Sequence, residues 1–279
     1  MRDIHFVRRG KGRPLLLIHG IGGSWRSWGP ILPELAAARE VIAVDLPGFG
    51  ASPPLAEGTS IETLTDALID FTHAHNLRHV DAVGCSMGAR LVLELARRGT
   101  MGNVVALGPD GFWHGWERHA FYGRAMASIR LIRALRPRIP FIATHASTRA
   151  LLFSQVSAHP TRLPADLLVD EMESCASSPV VNELLHDLAF GPEPEGAPAG
   201  SLRRSVVIGW GRQDRLCFPH EANNALALFP DAHLRWFDDS GHFPHWDRPR
   251  ATISMILDAT APPTSAWRTR NSAAPRWLN

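Results

Sequence analysis

Six short apolar runs separated by longer amphipathic stretches constrain this chain more than any other feature. The runs are Leu15 to Ile18, Val41 to Val44, Val80 to Val83, Val104 to Leu107, Val206 to Ile208 and Leu234 to Phe237. Short β-branched and Leu-rich runs alternating with helical periodicity predict parallel strands with helices packed on both faces. Between the runs, Trp28 to Ala38, Ile61 to His75 and Met87 to Arg98 read as helices, with Leu91 and Leu95 one turn apart on one face. Ser60 offers an N-cap hydroxyl before Ile61, but Thr63 stands where a Glu or Gln would complete the capping box.

The alternation breaks after Gly108. From Phe112 to Phe190 no strand-like run occurs, while Arg118 to Leu135, Thr148 to Ser157, Pro164 to Cys175 and Pro179 to Phe190 have helical character. In the last of these, Ser178 reads as the cap and Pro179 as a first-turn residue. The stretch from Gly191 to Gly200, rich in Gly and Pro, reads as a linker before the sheet resumes. The expected organisation is therefore a core built from residues 1–111 and 201–261, interrupted by a helical cap and linker at 112–200. Residues 262–279, polar and basic, are expected to form a disordered tail.

The run Val80 to Val83 leads into Gly84-Cys85-Ser86-Met87-Gly88, and a helical pattern follows at once. A reactive Ser on a sharp strand-to-helix turn sits in a strained backbone, and residues two before and two after it approach so closely that only small ones fit. The turn also sets Ser86 at the positive end of a helix, which favours developing negative charge. Serine is a poor nucleophile at neutral pH and needs a base, which in turn needs an orienting acid. His242, preceded by Gly241 and following the last strand-like run, is the candidate base, ahead of His245, which reads as a supporting residue beside Trp246. Asp214 follows the run ending at Ile208 and has the chain order Ser, Asp, His. Asp110, after the run ending at Leu107, is the alternative acid. Asp45 precedes the nucleophile and reads as a structural carboxylate in a turn.

Acyl transfer builds charge on a carbonyl oxygen, and backbone N–H groups must meet it. The first strong run ends in His19-Gly20-Ile21-Gly22-Gly23, where glycines let the backbone approach a ligand. The N–H groups of Ile21 and Met87 are the candidate donors. A dinucleotide or P-loop reading fails, because no G-x-G-x-x-G and no Lys-Ser or Lys-Thr follows these glycines.

Taken together, His19-Gly20, Asp45-Leu46-Pro47-Gly48-Phe49-Gly50, Gly84-Cys85-Ser86-Met87-Gly88, Gly211-Arg212-Gln213-Asp214 and Gly241-His242 resemble the α/β-hydrolase superfamily. The resemblance implies a mostly parallel eight-stranded sheet, with a helical cap inserted after the sixth strand that roofs the substrate pocket. It also implies that the residue after His19-Gly20 supplies an oxyanion N–H. Ser86 in the nucleophile position argues against the haloalkane dehalogenases and epoxide hydrolases, which carry Asp there. Esterases and carbon–carbon bond hydrolases both remain open, as does a protein that keeps the fold but only binds a ligand.

Gly22, Trp113, Trp116 and Phe243 are the candidate pocket residues. The aromatic cluster of Phe112, Trp113, Trp116, Phe121 and Tyr122 at the start of the cap suits an apolar or aromatic substrate, although aromatics at helical spacing also build cap cores. With 29 basic against 27 acidic residues the formal charge is +2, so no global field favours nucleic acid or a membrane surface. The expected partner is a small-molecule substrate, with the protein a monomer or homodimer and no cofactor or metal. Three widely spaced cysteines and the lack of an apolar leader point to a cytoplasmic protein.

Overall fold

In the computed structural model, which describes residues 3–262, each of the six apolar runs is a strand and a seventh precedes them. The strands are β1 (Phe6–Arg9), β2 (Pro14–Ile18), β3 (Glu40–Val44), β4 (Asp81–Cys85), β5 (Val104–Leu107), β6 (Val206–Gly211) and β7 (His233–Phe237). They hydrogen-bond in the order β1-β3-β2-β4-β5-β6-β7. β1 runs antiparallel to β3 with Phe6 opposite Val44, and every other pairing is parallel.

The expectation of eight strands is thereby corrected, because among the described residues the sheet has seven. The helical insertion follows the fifth strand instead of the sixth, since a single antiparallel strand precedes the parallel run. β1 gave no signal in the sequence because it is an edge strand whose last two residues, Arg8 and Arg9, are exposed.

The core helices ahead of the insertion are α1 (Leu32–Ala38), α2 (Ile61–Ala74) and α3 (Met87–Arg97). The insertion carries α4 (Glu117–Ala134), α5 (Ile139–Thr144), α6 (Ala146–Phe153), α7 (Ala165–Ser177) and α8 (Val181–Phe190). The sheet domain then closes with α9 (Glu221–Leu228), α10 (Pro244–Asp247) and α11 (Pro249–Ala259). Local expectations change as well: α5 was not expected, and α6 spans Ala146–Phe153 where Thr148 to Ser157 was expected. The helix expected from Trp28 is a short 3-10 turn at Trp25–Trp28, followed after Gly29 and Pro30 by α1. The capping box of α2 is complete with Thr63, whose hydroxyl accepts from Ser60 N–H at 2.9 Å while Ser60 Oγ accepts from Thr63 N–H at 3.1 Å. α8 begins at Val181, two residues late, because the Ser178 hydroxyl donates to the Gly48 carbonyl at 2.8 Å instead of capping the helix.

Period-two alternation sorts the strands between two cores. Leu16, Ile18, Ile42, Val44, Ala82, Val104 and Ala106 pack with α2 and α3 on one face. Leu15, Leu17, Val41, Ala43, Val83, Val105 and Leu107 pack with α1 and α11 on the other. The cap has a small core of its own, in which Ile139, Ile142, Phe153, Leu168 and Met172 meet Trp246 of the sheet domain. Of the expected tail at 262–279, residues 263–279 lie outside the described residues. Among the described residues no helix is long and apolar enough to cross a membrane.

The amino-terminal edge of the sheet is tied by one buried carboxylate. Asp81, at the start of β4, accepts from Arg39 Nη2 at 2.8 Å, Arg13 Nη2 at 3.0 Å and Asn103 N–H at 2.9 Å. The Arg39 guanidinium also donates to the carbonyls of Arg13, Pro14 and Thr260, so one cluster joins β2, β3, β4, β5 and the end of α11. Removing one partner of a buried pair strands the other. Asp81→Ala should cost about 3 to 5 kcal/mol in urea unfolding; a loss under about 1 kcal/mol would show that the cluster does not anchor the sheet.

Candidate active site

Ser86 stands between β4 and α3 with φ 52° and ψ −122°, the left-handed conformation that the sequence expects of a strained turn. The need for small neighbours is explicit. A Cβ on Gly84 would lie 2.0 Å from the Gly88 carbonyl oxygen, and one on Gly88 would lie 2.2 Å from that of Ile18. The turn is therefore pressed against both its own helix and the end of β2.

His242 Nε2 lies 2.9 Å from Ser86 Oγ, and His242 Nδ1 lies 2.8 Å from Asp214 Oδ2. Because a carboxylate can only accept, Nδ1 carries the proton and Nε2 is free to accept from the Ser86 hydroxyl. Ser86 is 2% exposed, His242 0% and Asp214 3%, so the whole chain of hydrogen bonds is buried. Asp214 is fixed from its other side, where Oδ1 accepts from Leu216 N–H at 2.8 Å and Cys217 N–H at 3.0 Å. Gly108, which gave no signal in the sequence, makes room for the imidazole, since a Cβ there would meet His242 Nδ1 at 3.3 Å. Such an arrangement can pass a proton from hydroxyl to imidazole as the oxygen attacks an electrophile.

The two alternatives weighed from sequence sit elsewhere. Asp110 is fully buried after β5, and among the described residues neither carboxylate oxygen has a hydrogen-bond partner. Burial pushes its pKa from 3.8 to about 6, against the pull of the Arg90 guanidinium and His242. His245 is fully buried against the Trp28 ring at 4.7 Å, and among the described residues neither ring nitrogen has a hydrogen-bond partner. Burial, then the nearby His242, push its pKa down to about 3. Asp45 is a turn carboxylate that binds His5 and the N–H groups of Trp25 and Ala51.

The Gly-rich loop runs directly beside Ser86, and a Cβ on Gly20 would lie 3.0 Å from Ser86 Cβ. Among the described residues neither the Ile21 nor the Met87 N–H has an acceptor, which leaves both groups available to an incoming oxygen. His19 holds the loop from below. Its Nδ1–H donates to the Gly20 carbonyl at 2.7 Å, while its Nε2 accepts from Leu46 N–H at 2.9 Å.

Gly22, with φ 80°, faces Cys175 of the cap, whose Cβ and Sγ would meet a Cβ there at 3.1 and 3.2 Å. Phe243 lies 4.9 Å from the His242 ring. Trp113 is buried and stacks on Phe121 at 4.6 Å within the cap's contact with the core. Trp116, at the first turn of α4, is 69% exposed and faces solvent instead of joining that stack. Among the described residues no cluster of three or more His, Cys, Asp or Glu side chains could hold a metal ion.

Two further acids missed by sequence reasoning surround this region. Glu171 of α7 accepts from the Ser27 hydroxyl, and burial pushes its pKa from 4.5 to about 8. Glu221 accepts from Phe218 N–H at 2.8 Å, its second oxygen has no partner among the described residues, and burial pushes its pKa from 4.5 to about 8 as well. A carboxyl whose folded pKa is raised keeps a proton that the unfolded chain has released, so stability falls as pH rises between the unfolded and folded values. Above about pH 6.5 the opposing contribution of His245 is already exhausted, because the unfolded imidazole is neutral there. The melting temperature should therefore fall from about pH 6.5 to about pH 8, and the double variant Glu171→Gln, Glu221→Gln should flatten that slope. An unchanged slope in thermal melts of the variant would refute the assignment.

The sequence matches the family described as the alpha/beta hydrolase family over residues 15–255. It is 27% identical over 255 residues to the dihydrolipoyllysine-residue acetyltransferase component of the acetoin cleaving system of Cupriavidus necator, covering 88% of this chain and 63% of that protein. The chain thus spans less than two thirds of that relative's length. It is 26% identical over 272 residues to a 2-hydroxy-6-oxo-2,4-heptadienoate hydrolase of Pseudomonas putida, covering 93% of this chain and 92% of that one. The structure of a thermophilic esterase from Thermogutta terrifontis shares its fold, with a TM-score of 0.69 and 20% identity over 97% of this chain and 94% of that chain. The extent of the family match, carried on a parallel sheet with a helical insertion, makes this chain a member of the α/β-hydrolase family.

Proposed function

We propose that the protein is a serine hydrolase that cleaves an ester-like bond of a small apolar or aromatic substrate through an acyl-enzyme. One observation carries this reading: a buried imidazole bridges Ser86 Oγ at 2.9 Å and Asp214 Oδ2 at 2.8 Å. In the first step His242 takes the hydroxyl proton as Ser86 attacks the carbonyl carbon. The oxyanion that forms accepts from the N–H groups of Ile21 and Met87, each worth on the order of 3 kcal/mol in a transition state. His242 then returns the proton to the leaving alcohol. In the second step water gives its proton to His242 and its oxygen to the acyl carbon, and Ser86 recovers its hydrogen as the acid departs. The chemistry requires no cofactor or metal, and a small-molecule substrate is the partner it implies. The Phe243 ring, 4.9 Å from that of His242, supports the apolar substrate class.

A second reading is hydrolysis of a carbon–carbon bond next to a ketone. Likeness to the Pseudomonas putida relative, whose named substrate carries a 6-oxo group on a dienoate, favours it. Turnover of such a vinylogous diketone in preference to p-nitrophenyl esters would select this reading over the first.

Ser86→Ala should lower turnover of p-nitrophenyl butyrate by roughly a million-fold and abolish fluorophosphonate labelling. A wild-type protein that neither turns over nor labels would be a ligand-binding protein on this fold. The acid is tested in parallel. Asp214→Asn should cost about ten-thousand-fold in kcat, because the imidazole loses its tautomer. Asp110→Asn should stay within about tenfold, since no hydrogen bond joins Asp110 to the imidazole; the reverse ranking would make Asp110 the acid.

A further inference from the structure

An oxyanion donor works only if its N–H is held to a fraction of an ångström where charge develops. The loop that carries Ile21 is glycine-rich and has little rigidity of its own. Its internal bonds are a turn closed by Gly23 N–H on the Gly20 carbonyl at 3.1 Å and the reciprocal pair between Ser24 and Ser27. From the core side it is fixed by His19, by Trp25 N–H on Asp45 at 2.8 Å and by Trp246 Nε1–H on the Ser27 carbonyl at 3.0 Å.

The outer side is held by one cap helix. The Ser174 hydroxyl donates to the Gly23 carbonyl at 2.7 Å, and the Glu171 carboxyl accepts from the Ser27 hydroxyl. Cys175 fills the space that a side chain at Gly22 would take. Residues 171, 174 and 175 are spaced i, i+3 and i+4, so they form one face of α7. These contacts grip Gly22, Gly23 and Ser27, immediately after Ile21.

We infer that α7 of the cap positions the oxyanion loop, with Ser174 and Glu171 as positioning residues that hold the Ile21 N–H through Gly23 and Ser27. The inference rests on the serine hydrolase reading above. It makes the oxyanion site a composite of core and cap: Met87 comes from the sheet domain alone, whereas Ile21 reaches its working position only with α7 seated. The cap therefore contributes to the chemical step as well as covering the substrate. Losing these contacts should act on the transition state, where charge sits on the oxygen, and spare ground-state binding, where it does not.

The test uses the full chain and p-nitrophenyl butyrate, with butaneboronic acid as a tetrahedral mimic and butyrate as a ground-state ligand. Ser174→Ala and Glu171→Ala should each lower kcat roughly ten- to a hundredfold and weaken the boronate in parallel, with KM, butyrate inhibition and melting temperature little changed. Glu171→Gln keeps an acceptor for the Ser27 hydroxyl and should restore kcat, which ties the effect to that hydrogen bond. Glu173→Ala, on the same helix but paired with Arg136 at the surface, should match the wild type. Unchanged kcat in both alanine variants would overturn the inference. So would equal weakening of boronate and butyrate together with a fall in melting temperature, which marks a merely structural role. If Ser174→Ala fails to fold, the Glu171 pair decides alone. An active wild type with fully active variants sinks this inference only, whereas a wild type without turnover or phosphonate labelling sinks the hydrolase reading and this inference with it.

Discussion

The strained turn at Ser86 is the constraint on which the rest of the site depends. A non-glycine residue at φ 52° and ψ −122° costs on the order of 1 to 3 kcal/mol and persists only where its surroundings over-determine it. Here Ser86 N–H is committed to the Leu107 carbonyl at 2.9 Å, which extends the pairing of β4 with β5 through the turn. On the far side α3 starts at once and buries Met87, Ala89, Leu91, Val92, Leu93 and Leu95, far more apolar surface than is needed to offset the strain. The close approach of Gly88 to the end of β2 then brings the His19 to Gly23 loop alongside Ser86. The turn alone sets Ser86 and the Met87 N–H, whereas the Ile21 N–H depends on the further bonds that hold its loop.

The carboxyls near the imidazole show how environment assigns roles to chemically similar groups. Asp214 receives two backbone N–H groups on one oxygen and the imidazole on the other, so its charge is compensated where it stands. Asp110 is buried without any hydrogen bond, and its pKa of about 6 reflects a site that resists ionisation. The same logic separates the histidines. His242 bridges a hydroxyl and a carboxylate, whereas His245 is enclosed by aromatic rings and held neutral. Position after a strand does not by itself distinguish Asp214 from Asp110; hydrogen-bond partners do.

The core was legible because parallel strands buried on both faces leave continuous apolar runs, and all six runs became strands. β1 was invisible for the opposite reason: an edge strand whose arginines reach solvent carries no such run. Ser86, His242 and Asp214 were legible as motifs because the turns that carry them need glycine at fixed offsets, at Gly84, Gly88, Gly211 and Gly241. Gly211 is required because a Cβ there would lie 2.0 Å from the Gly241 carbonyl oxygen, so two motifs distant in sequence are packed glycine on glycine. Sequence could record each glycine but not that the two touch.

The cap obeys a weaker grammar. Most of its helices were recognised by periodicity, yet α5 was missed, and α8 was misplaced because Ser178 spends its hydroxyl on Gly48 across the cap–core boundary and no longer marks a helix start. The same holds for Glu171, Ser174 and Cys175. Read along α7 they are one modest polar face among several; their meaning lies in the Gly22, Gly23 and Ser27 groups they meet about 150 residues away. Contacts formed by polar side chains to loop backbone leave no periodic trace, because the loop partner has no period. An inserted domain thus hides such contacts from sequence, because nothing in the sheet's repeat dictates which cap side chain meets which carbonyl.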